Sequence, residues 1–126
     1  MNKEETIAVQ WGQNAWKKQR LYNILNSAKI RAKKKGLEFT ITGGWFRDKV
    51  FNGVCEATGL PFDHTPPTAK NKSNPHGPSL DRMDSTKGYT PDNTKVVLWI
   101  HNRAKGDDDI YTLYNYCKAL VKAIEG

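Results

Sequence analysis

The sequence predicts a single α+β domain, in which a two-stranded hairpin plus helix packs with a basic N-terminal helix and an amphipathic C-terminal helix. Apolar residues recur every three to four positions over residues 14–35 and 109–124, as expected for helices. Between them, the alternating run 79–84 and the β-branched run 94–98 flank a turn-forming segment, as in a hairpin. A chain of 126 residues suits one domain with one modest core.

Composition and cysteine usage narrow the class of protein. Hydrophobic residues make up 37% of the chain and charged residues 26%, as in a small, well-solvated domain. There is no run of 18 apolar residues, and the N-terminus lacks an apolar segment after a basic start, so we expect a cytoplasmic protein that does not span a membrane. Cys55 and Cys117 belong to no CxxC pair, which excludes a zinc ribbon, and we expect both to be reduced.

The net charge of +7 lies entirely in the N-terminal part. Residues 1–50 contain eleven Lys and Arg against four Asp and Glu, whereas residues 51–126 contain nine of each. A polyanionic partner is the simplest reason to concentrate positive charge in one segment. Solubility is the alternative, and charge alone does not separate the two.

Residues 1–13 are predicted to form a loose arm, followed by a helix over 14–35 that ends at Gly36 in a left-handed conformation. One face of this helix is apolar and the other faces are basic. We interpret the basic side as a nucleic-acid contact rather than a solvated or membrane-bound face, because the apolar stripe is narrow and is needed for the core. The residues predicted to contact nucleic acid are Lys29, Arg31, Lys33, Lys34 and Lys35, together with Arg103 from a later helix.

Short elements are predicted between this helix and the hairpin. Residues 37–41 alternate as a strand does, residues 45–52 read as a short helix after Gly43-Gly44, and residues 54–62 read as a brief strand with a tight turn. Residues 63–78 form a predicted surface loop. The side chains predicted to point inward are Trp45, Phe46, Val50, Phe51, Cys55, Leu60 and Phe62.

Residues 108–126 are predicted to form a packing helix that buries an apolar stripe in the core. The consecutive aspartates 107–109 are expected to cap this helix rather than to bind a metal. The stripe consists of Ile110, Leu113, Tyr114, Cys117, Leu120, Val121 and Ile124.

The hairpin and the helix after it bring chemistry-bearing residues together. If the two strands pair and lead into the helix, Asp81 and Asn102 can face each other, and their hard oxygen atoms suit Mg²⁺ or Mn²⁺. Asn93 can tie the long loop to the first strand. Lys105 shares a helix face with Asn102, which puts a cation beside the same ligand.

These residues carry a resemblance to a known family. The runs CEATGLPF, PSLDRMDSTKGYTPDN and NRAKGD, in this order, resemble the ββα-metal finger of HNH endonucleases, and more narrowly small phage and prophage HNH proteins. The resemblance covers roughly residues 54–107. It implies a metal-dependent endonuclease that nicks or cuts DNA, with the finger docked at the minor groove. From the placement of the positive charge, we expect double-stranded DNA to be gripped by residues 14–53. The resemblance also implies one Mg²⁺ or Mn²⁺ held by Asp81 and Asn102, with Asn93 bracing the loop.

Such a protein would act in the host bacterial cytoplasm if it is phage-encoded. We expect a monomer or a weak homodimer, because one finger cuts one strand and a dimer suits double-strand cutting.

One position departs from the family pattern. HNH enzymes usually place a histidine, the general base, directly after the first acid, but here this residue is Arg82, which cannot accept a proton at neutral pH. Asp84, two positions on from Arg82 and so on the same strand face, could replace the base or be a further metal ligand. A histidine from the set His64, His76 and His101 could also be the base. Alternatively, the metal activates water without a protein base. We favour Arg82 as a phosphate clamp with Asp84 nearby, so that Arg82, Asp84, Asn93 and Lys105 form the candidate catalytic set.

The alternatives for residues and function stay open at this point. Arg82 could instead form a salt bridge to Asp84 or Asp81 that only shapes the hairpin. The second candidate function is a catalytically weak or inactive HNH-fold DNA-binding module, which Arg82 at the base position favours. A basic adaptor for RNA or protein is a third, and it would leave the Asp, Asn and Lys spacing unexplained.

Overall fold

The fold is α+β, as predicted, and the described residues form four helices and one two-stranded antiparallel sheet. The computed structural model describes residues 3–65 and 74–126, and the side chains within this part from residue 18 onward. None of the helices in these ranges is long and apolar enough to cross a membrane. The elements are α1 (Lys3–Lys35), α2 (Gly43–Phe51), β1 (Pro78–Arg82), β2 (Thr94–Leu98), α3 (Trp99–Lys105) and α4 (Ile110–Glu125).

Helix α1 is longer than the sequence pattern indicated. It begins at Lys3, so the prediction of a loose arm is wrong over residues 3–13, while residues 1 and 2 lie outside the described residues. No proline interrupts this segment, and Gly12 within a helix costs only about 1 kcal/mol relative to alanine. The helix ends as predicted, because Gly36 has a φ of 66° and the amide of the next residue bonds back to the Ala32 carbonyl at 2.8 Å.

Two short strands predicted before the hairpin are absent from the described residues. Residues 37–41 form only a single parallel bridge, between Phe39 and Tyr89. Residues 54–62 form a turn with Gly59 at a φ of 75°, closed by the Cys55 amide donating to the Leu60 carbonyl at 2.9 Å. Residues 37–41 do alternate, but neither segment meets a continuous partner strand.

Helix α2 begins earlier than predicted, at Gly43. Thr42 caps it, because its side chain accepts a hydrogen bond from the Trp45 amide at 3.1 Å. Phe46 is buried as predicted, but Phe51 is 39% exposed and does not join the core.

The core lies between α1, α2 and one face of the hairpin. Leu80 of β1 and Val96 of β2 pack against α1 and α2, while Cys55 packs with Val97 and Leu98 on the other side. Leu60, predicted to be internal, is 46% exposed. The remaining members of the larger cluster are Leu21, Ala28, Ala32, Ile41, Phe46, Val50 and Tyr89.

The hairpin positions the candidate site. β1 and β2 pair antiparallel with Asp81 opposite Lys95, and α3 begins directly after β2. β1 ends at Arg82, so Asp84 lies in the connecting loop and does not share a strand face with Arg82, contrary to the prediction.

Helix α4 does not bury the core, and this prediction is wrong. It starts as predicted, because the Asp109 side chain accepts a hydrogen bond from the Thr112 amide at 2.9 Å. However, none of its described residues is buried, and among the described elements it packs chiefly beside α3. The apolar periodicity fixed which face is apolar, but it contains no information about what covers that face.

Candidate active site

A buried ion pair joins α3 to β1. The Lys105 ammonium lies 3.1 Å from Asp81 Oδ1 and also donates to the Arg82 carbonyl at 3.4 Å. The two paired side chains are only 5% and 2% exposed. The second carboxylate oxygen, Asp81 Oδ2, is buried and has no hydrogen-bond partner within the described ranges. Because an unsatisfied buried oxygen is costly, this atom is open to a further donor or cation.

His101 lies on the same face of α3 as Lys105, one turn earlier, and faces this oxygen. Its Nε2 is 3.8 Å from Asp81 Oδ2, and its side chain is 11% exposed. Burial lowers the pKa of His101, although the Asp81 carboxylate opposes this shift. The lowered pKa favours the neutral imidazole, whose Nε2 at 3.8 Å is near the candidate carboxylate but too far for a hydrogen bond.

Asn102 lies beside the same strand. Its Nδ2 donates to Ser79 Oγ at 2.7 Å and to the Leu80 carbonyl at 2.8 Å. These two bonds leave Oδ1 without a hydrogen bond from the described residues. The amide is thus fixed by its nitrogen, and its oxygen stays open for a ligand.

Asn93 fastens the loop between the two strands. Its Oδ1 accepts from the Asp84 amide at 2.9 Å, and its Nδ2 donates to the carbonyls of Asp84 at 3.0 Å and Gly88 at 2.8 Å. The Asn93 carbonyl also accepts from the Met83 amide at 2.8 Å. The structure therefore places Asn93 where a loop-bracing residue has to be.

Arg82 also braces this loop, which the sequence did not predict. Its guanidinium donates to the carbonyls of Ser85 at 2.8 Å and Lys87 at 3.1 Å, and it lies 5.1 Å from the centre of the buried Tyr89 ring. Within the described part of the chain it forms no salt bridge with Asp84 or Asp81. Its remaining N–H groups stay available for an anion.

Asp84 is a poor candidate for a general base. Its Oδ1 accepts from the Thr86 amide at 2.9 Å and the Thr86 hydroxyl at 2.6 Å, and Lys87 lies 4.0 Å from Oδ2. The hydrogen bonds from Thr86 lower the pKa of Asp84, which makes it a weaker proton acceptor.

A pocket of about 420 Å³ brings together residues from three parts of the chain. Arg31 and Lys35 from α1 line it with Arg82, so that three cations share one cavity with Asp81 and Asn102. Five further lining residues were not among the predicted site residues, and three of them carry polar side chains: Ser85, Tyr89 and Asp107. The signal for Tyr89 and Asp107 was their position in the sequence. Tyr89 follows the loop glycine Gly88, and Asp107 comes just after the end of α3.

The other predicted site residues lie elsewhere. Lys29, Lys33 and Lys34 are exposed and do not line this pocket. Arg103 is exposed and stacks over the Trp99 ring at 5.0 Å. The His64 ring lies 6.1 Å from that of Phe51, and His76 is exposed. Neither of these two histidines lines the pocket, which leaves His101 as the described imidazole nearest to Asp81.

The donor set limits the metals that fit. Among the described side chains, those of residues 18–65 and 74–126, no group of three His, Cys, Asp or Glu is arranged to hold a metal ion. Of the two predicted ligands, Asp81 offers one open carboxylate oxygen and Asn102 one open amide oxygen. This set suits a weakly held hard cation that keeps several waters, not a structural zinc.

An antiparallel hairpin that leads directly into a helix, with an acid on the first strand and an asparagine on the helix, is the ββα-metal arrangement. The chain has an HNH-type endonuclease fold, as predicted. Among solved structures it is similar to the rare-cutting HNH restriction endonuclease PacI, whose structure is described as showing a mechanism of DNA perturbation. The identity is 21%, the alignment covers 82% of this chain and 78% of that chain, and the TM-score is 0.54. Neither a family model nor a curated protein matches the chain.

Proposed function

We propose that this protein is a metal-dependent DNA endonuclease. The observation that carries the proposal is the buried Oδ2 of Asp81, which has no hydrogen-bond partner among the described residues. Asp81 lines a pocket together with Asn102 and three cationic side chains. Hydrolysis of a phosphodiester needs this combination. A cation site stabilises the negative charge that develops in the transition state, and positive side chains bind the non-bridging phosphate oxygens. The HNH-type fold of the chain supports the same reaction.

Asp81 and Asn102 are the residues that would hold the metal. Both present oxygen atoms that the described residues leave unbonded, and Mg²⁺ or Mn²⁺ prefers such ligands. When bound, the metal would act as a Lewis acid that stabilises the charge on the phosphate and on the leaving oxygen. Ser79 and the Leu80 carbonyl orient the Asn102 amide so that its oxygen is presented in one direction.

The remaining pocket residues would position the phosphate. Arg82 keeps N–H groups free after bracing its loop, and a guanidinium matches phosphate geometry. Arg31 and Lys35 would bind the same or the adjacent phosphate from α1. Lys105 would balance the Asp81 charge from within the protein rather than touch the DNA, because its side chain is only 5% exposed.

Double-stranded DNA is the proposed substrate. The basic face of α1 suits a nucleic-acid backbone, and PacI, which has a similar fold, is a restriction endonuclease. The set proposed to contact the DNA is Lys29, Arg31, Lys33, Lys34, Lys35 and Arg103.

A plasmid assay tests the proposal. Supercoiled DNA is incubated with the protein in Mg²⁺, Mn²⁺, Ni²⁺, Zn²⁺ or EDTA, and nicked and linear products are separated on a gel. We expect nicking with Mg²⁺ or Mn²⁺, none in EDTA, and loss of nicking in Asp81→Asn and Asn102→Ala. DNA binding measured in EDTA should persist in both variants, and the exposed Asp92→Asn serves as the matched control. Undiminished nicking by both site variants would rule out this site.

The second candidate is a DNA-binding module with little or no activity, and the contacts of Arg82 favour it. A guanidinium that braces a loop at the usual base position cannot accept a proton. DNA binding without nicking in every metal would support the module. Arg82→His then separates a missing base from a missing metal site, since only the first is repaired by an imidazole.

A further inference from the structure

Few side chains of the pocket can take a proton from an attacking water, and hydrolysis needs one that does. Guanidinium, ammonium and phenol groups keep their protons at neutral pH, and amides and hydroxyls are not bases there. The lining side chains that these rules exclude are Arg31, Lys35, Arg82, Ser85, Tyr89 and Asn102. The two polar side chains that remain are carboxylates, Asp81 and Asp107, and aspartates are ionised at neutral pH.

Asp81 already has a different role. Its Oδ1 holds the Lys105 ammonium at 3.1 Å, and its Oδ2 is a ligand of the metal in the proposed function. A carboxylate that contacts two cations is a weak proton acceptor, because both cations stabilise its ionised form. His101 lies beside Asp81 but does not line the pocket. Asp107 is therefore the proton acceptor that the pocket leaves available.

The side chain of Asp107 is free to act. It is exposed, and it forms no ion pair or hydrogen bond with the residues that the structure describes, although three cations line the same pocket. Asp109, two positions later, differs in this respect, because its carboxylate is used to cap α4. Both oxygen atoms of Asp107 can accept a hydrogen bond from water.

The turn after α3 fixes the backbone of Asp107 relative to the site. α3 ends at Lys105, and Gly106 follows with a φ of 57°, a conformation that favours glycine. The Gly106 amide donates to the Asn102 carbonyl at 2.9 Å, and the Asp108 amide donates to the Lys105 carbonyl at 3.1 Å. Asp107 thus lies inside a hydrogen-bonded turn, two positions after a lysine whose side chain is anchored in the interior.

We propose that Asp107 is the general base of this protein and takes the place of the histidine whose usual position Arg82 occupies. The inference rests on the proposed function. A water in the pocket attacks phosphorus and forms a new P–O bond, while one of its protons passes to an Asp107 oxygen. The bond from phosphorus to the leaving oxygen breaks, and this oxygen takes a proton from solvent water. Asp107 then releases its proton to solvent.

The rate of plasmid nicking at saturating DNA tests the assignment. Asp107→Asn keeps the size of the side chain and should slow nicking by about 10²- to 10⁴-fold. Asp108→Asn is the matched control, because it removes the same charge from an exposed residue that does not line the pocket. It should nick at the rate of the unaltered protein. DNA binding in EDTA should be the same in both variants, and circular dichroism checks that both are folded.

Two further measurements separate a base from a metal ligand and from a structural residue. Mn²⁺ binding without DNA, followed by electron paramagnetic resonance, should be unchanged in Asp107→Asn and weakened in Asp81→Asn. Asp107→His should recover part of the activity. Its rate relative to that of the unaltered protein should rise as the pH increases through about 6.5, because only the neutral imidazole accepts a proton.

The possible failures can be told apart. Absence of nicking by the unaltered protein in every metal contradicts the proposed function, and the base assignment falls with it. Equal nicking by Asp107→Asn and Asp108→Asn overturns the base assignment alone, and means that water is activated without this carboxylate. Weaker Mn²⁺ binding by Asp107→Asn also overturns it, because Asp107 would then be a metal ligand.

Discussion

Lys105 of α3 supplies the counter-charge for Asp81 of β1, at 3.1 Å and almost entirely out of water. The Lys105 ammonium neutralises the charge of the Asp81 carboxylate, as a bound metal ion would also do. It ties the helix to the strand that carries the proposed ligand.

We expect Lys105→Met to lower the free energy of unfolding by about 3–5 kcal/mol, because it leaves a buried carboxylate without its partner. Urea denaturation monitored by circular dichroism measures the change. Lys87→Met is the matched control, since Lys87 is exposed and lies 4.0 Å from Asp84 on the surface, and it should have little effect. The double variant with Asp81→Asn should recover part of the loss. Equal stability of Lys105→Met and the unaltered protein would mean that the pair is not formed.

Asn93→Ala should free the loop between the strands. The substitution removes three side-chain hydrogen bonds and leaves the Gly88 carbonyl without its donor, so we expect a loss of about 1–3 kcal/mol. Hydrogen exchange should rise most at the Asp84 amide, which donates to Asn93 Oδ1. The neighbouring exposed Asp92→Ala should not change either measurement. Unaltered exchange at Asp84 in Asn93→Ala would contradict the bracing role.

Gly88→Ala should destabilise the protein through a direct clash. A Cβ at this position would overlap the Glu38 carbonyl oxygen and lie 2.6 Å from the Glu38 nitrogen, and backbone atoms cannot move aside as a flexible side chain can. Gly44→Ala is the opposite case, because only Thr42 Oγ1 lies as near as 4.0 Å and alanine favours the helix by about 0.5–1 kcal/mol. Thermal unfolding should therefore shift in opposite directions for the same substitution. A shift in the same direction would show that the close approach is absent.

The basic residues of α1 should fall into two functional groups. Arg31 and Lys35 line the pocket, whereas Lys29 and Lys33 lie about 200° around the helix from Arg31. Replacing either pair by alanine removes two charges and should reduce the salt dependence of DNA binding similarly. Only the Arg31 and Lys35 pair should also slow nicking at saturating DNA, by about tenfold or more, because charged hydrogen bonds contribute about 1.5–3 kcal/mol. Equal nicking rates for the two double variants would return all four residues to a general binding role.

The cap of α4 should depend on pH. Hydrogen bonds from Thr112 lower the pKa of Asp109 below its ordinary 3.8, so the native state holds the ionised form more strongly than the unfolded chain does. The cap's contribution is therefore complete above about pH 4 and is lost as the pH falls through the lowered pKa. Helicity measured by circular dichroism from pH 7 to pH 2 should fall in this range. Asp109→Asn, which keeps a capping oxygen, should retain helicity across it, and Asp109→Ala should reduce helicity throughout.

The sequence predicted the hairpin because local signals agreed there. The β-branched run at 94–98 gave β2 with its observed ends, and the turn-forming run before it required a residue such as Asn93 to satisfy the loop backbone. The contacts of Arg82 and Lys105 could not be predicted in the same way. A buried lysine requires a partner, and its partner here lies 24 residues away on another element. Likewise, the apolar stripe of α4 showed which face of the helix is apolar, but not what packs against that face.

One wall of the pocket comes from α1, far upstream of the ββα unit in the sequence. The candidate site is thus not a portable module, although its sequence motif is confined to about two-fifths of the chain. A fragment beginning at residue 54 would retain Asp81 and Asn102 but lose the cations Arg31 and Lys35, as well as the α1 side chains that pack against Leu80. A transfer of residues 54–107 to another protein would therefore have to include α1 to keep the pocket complete.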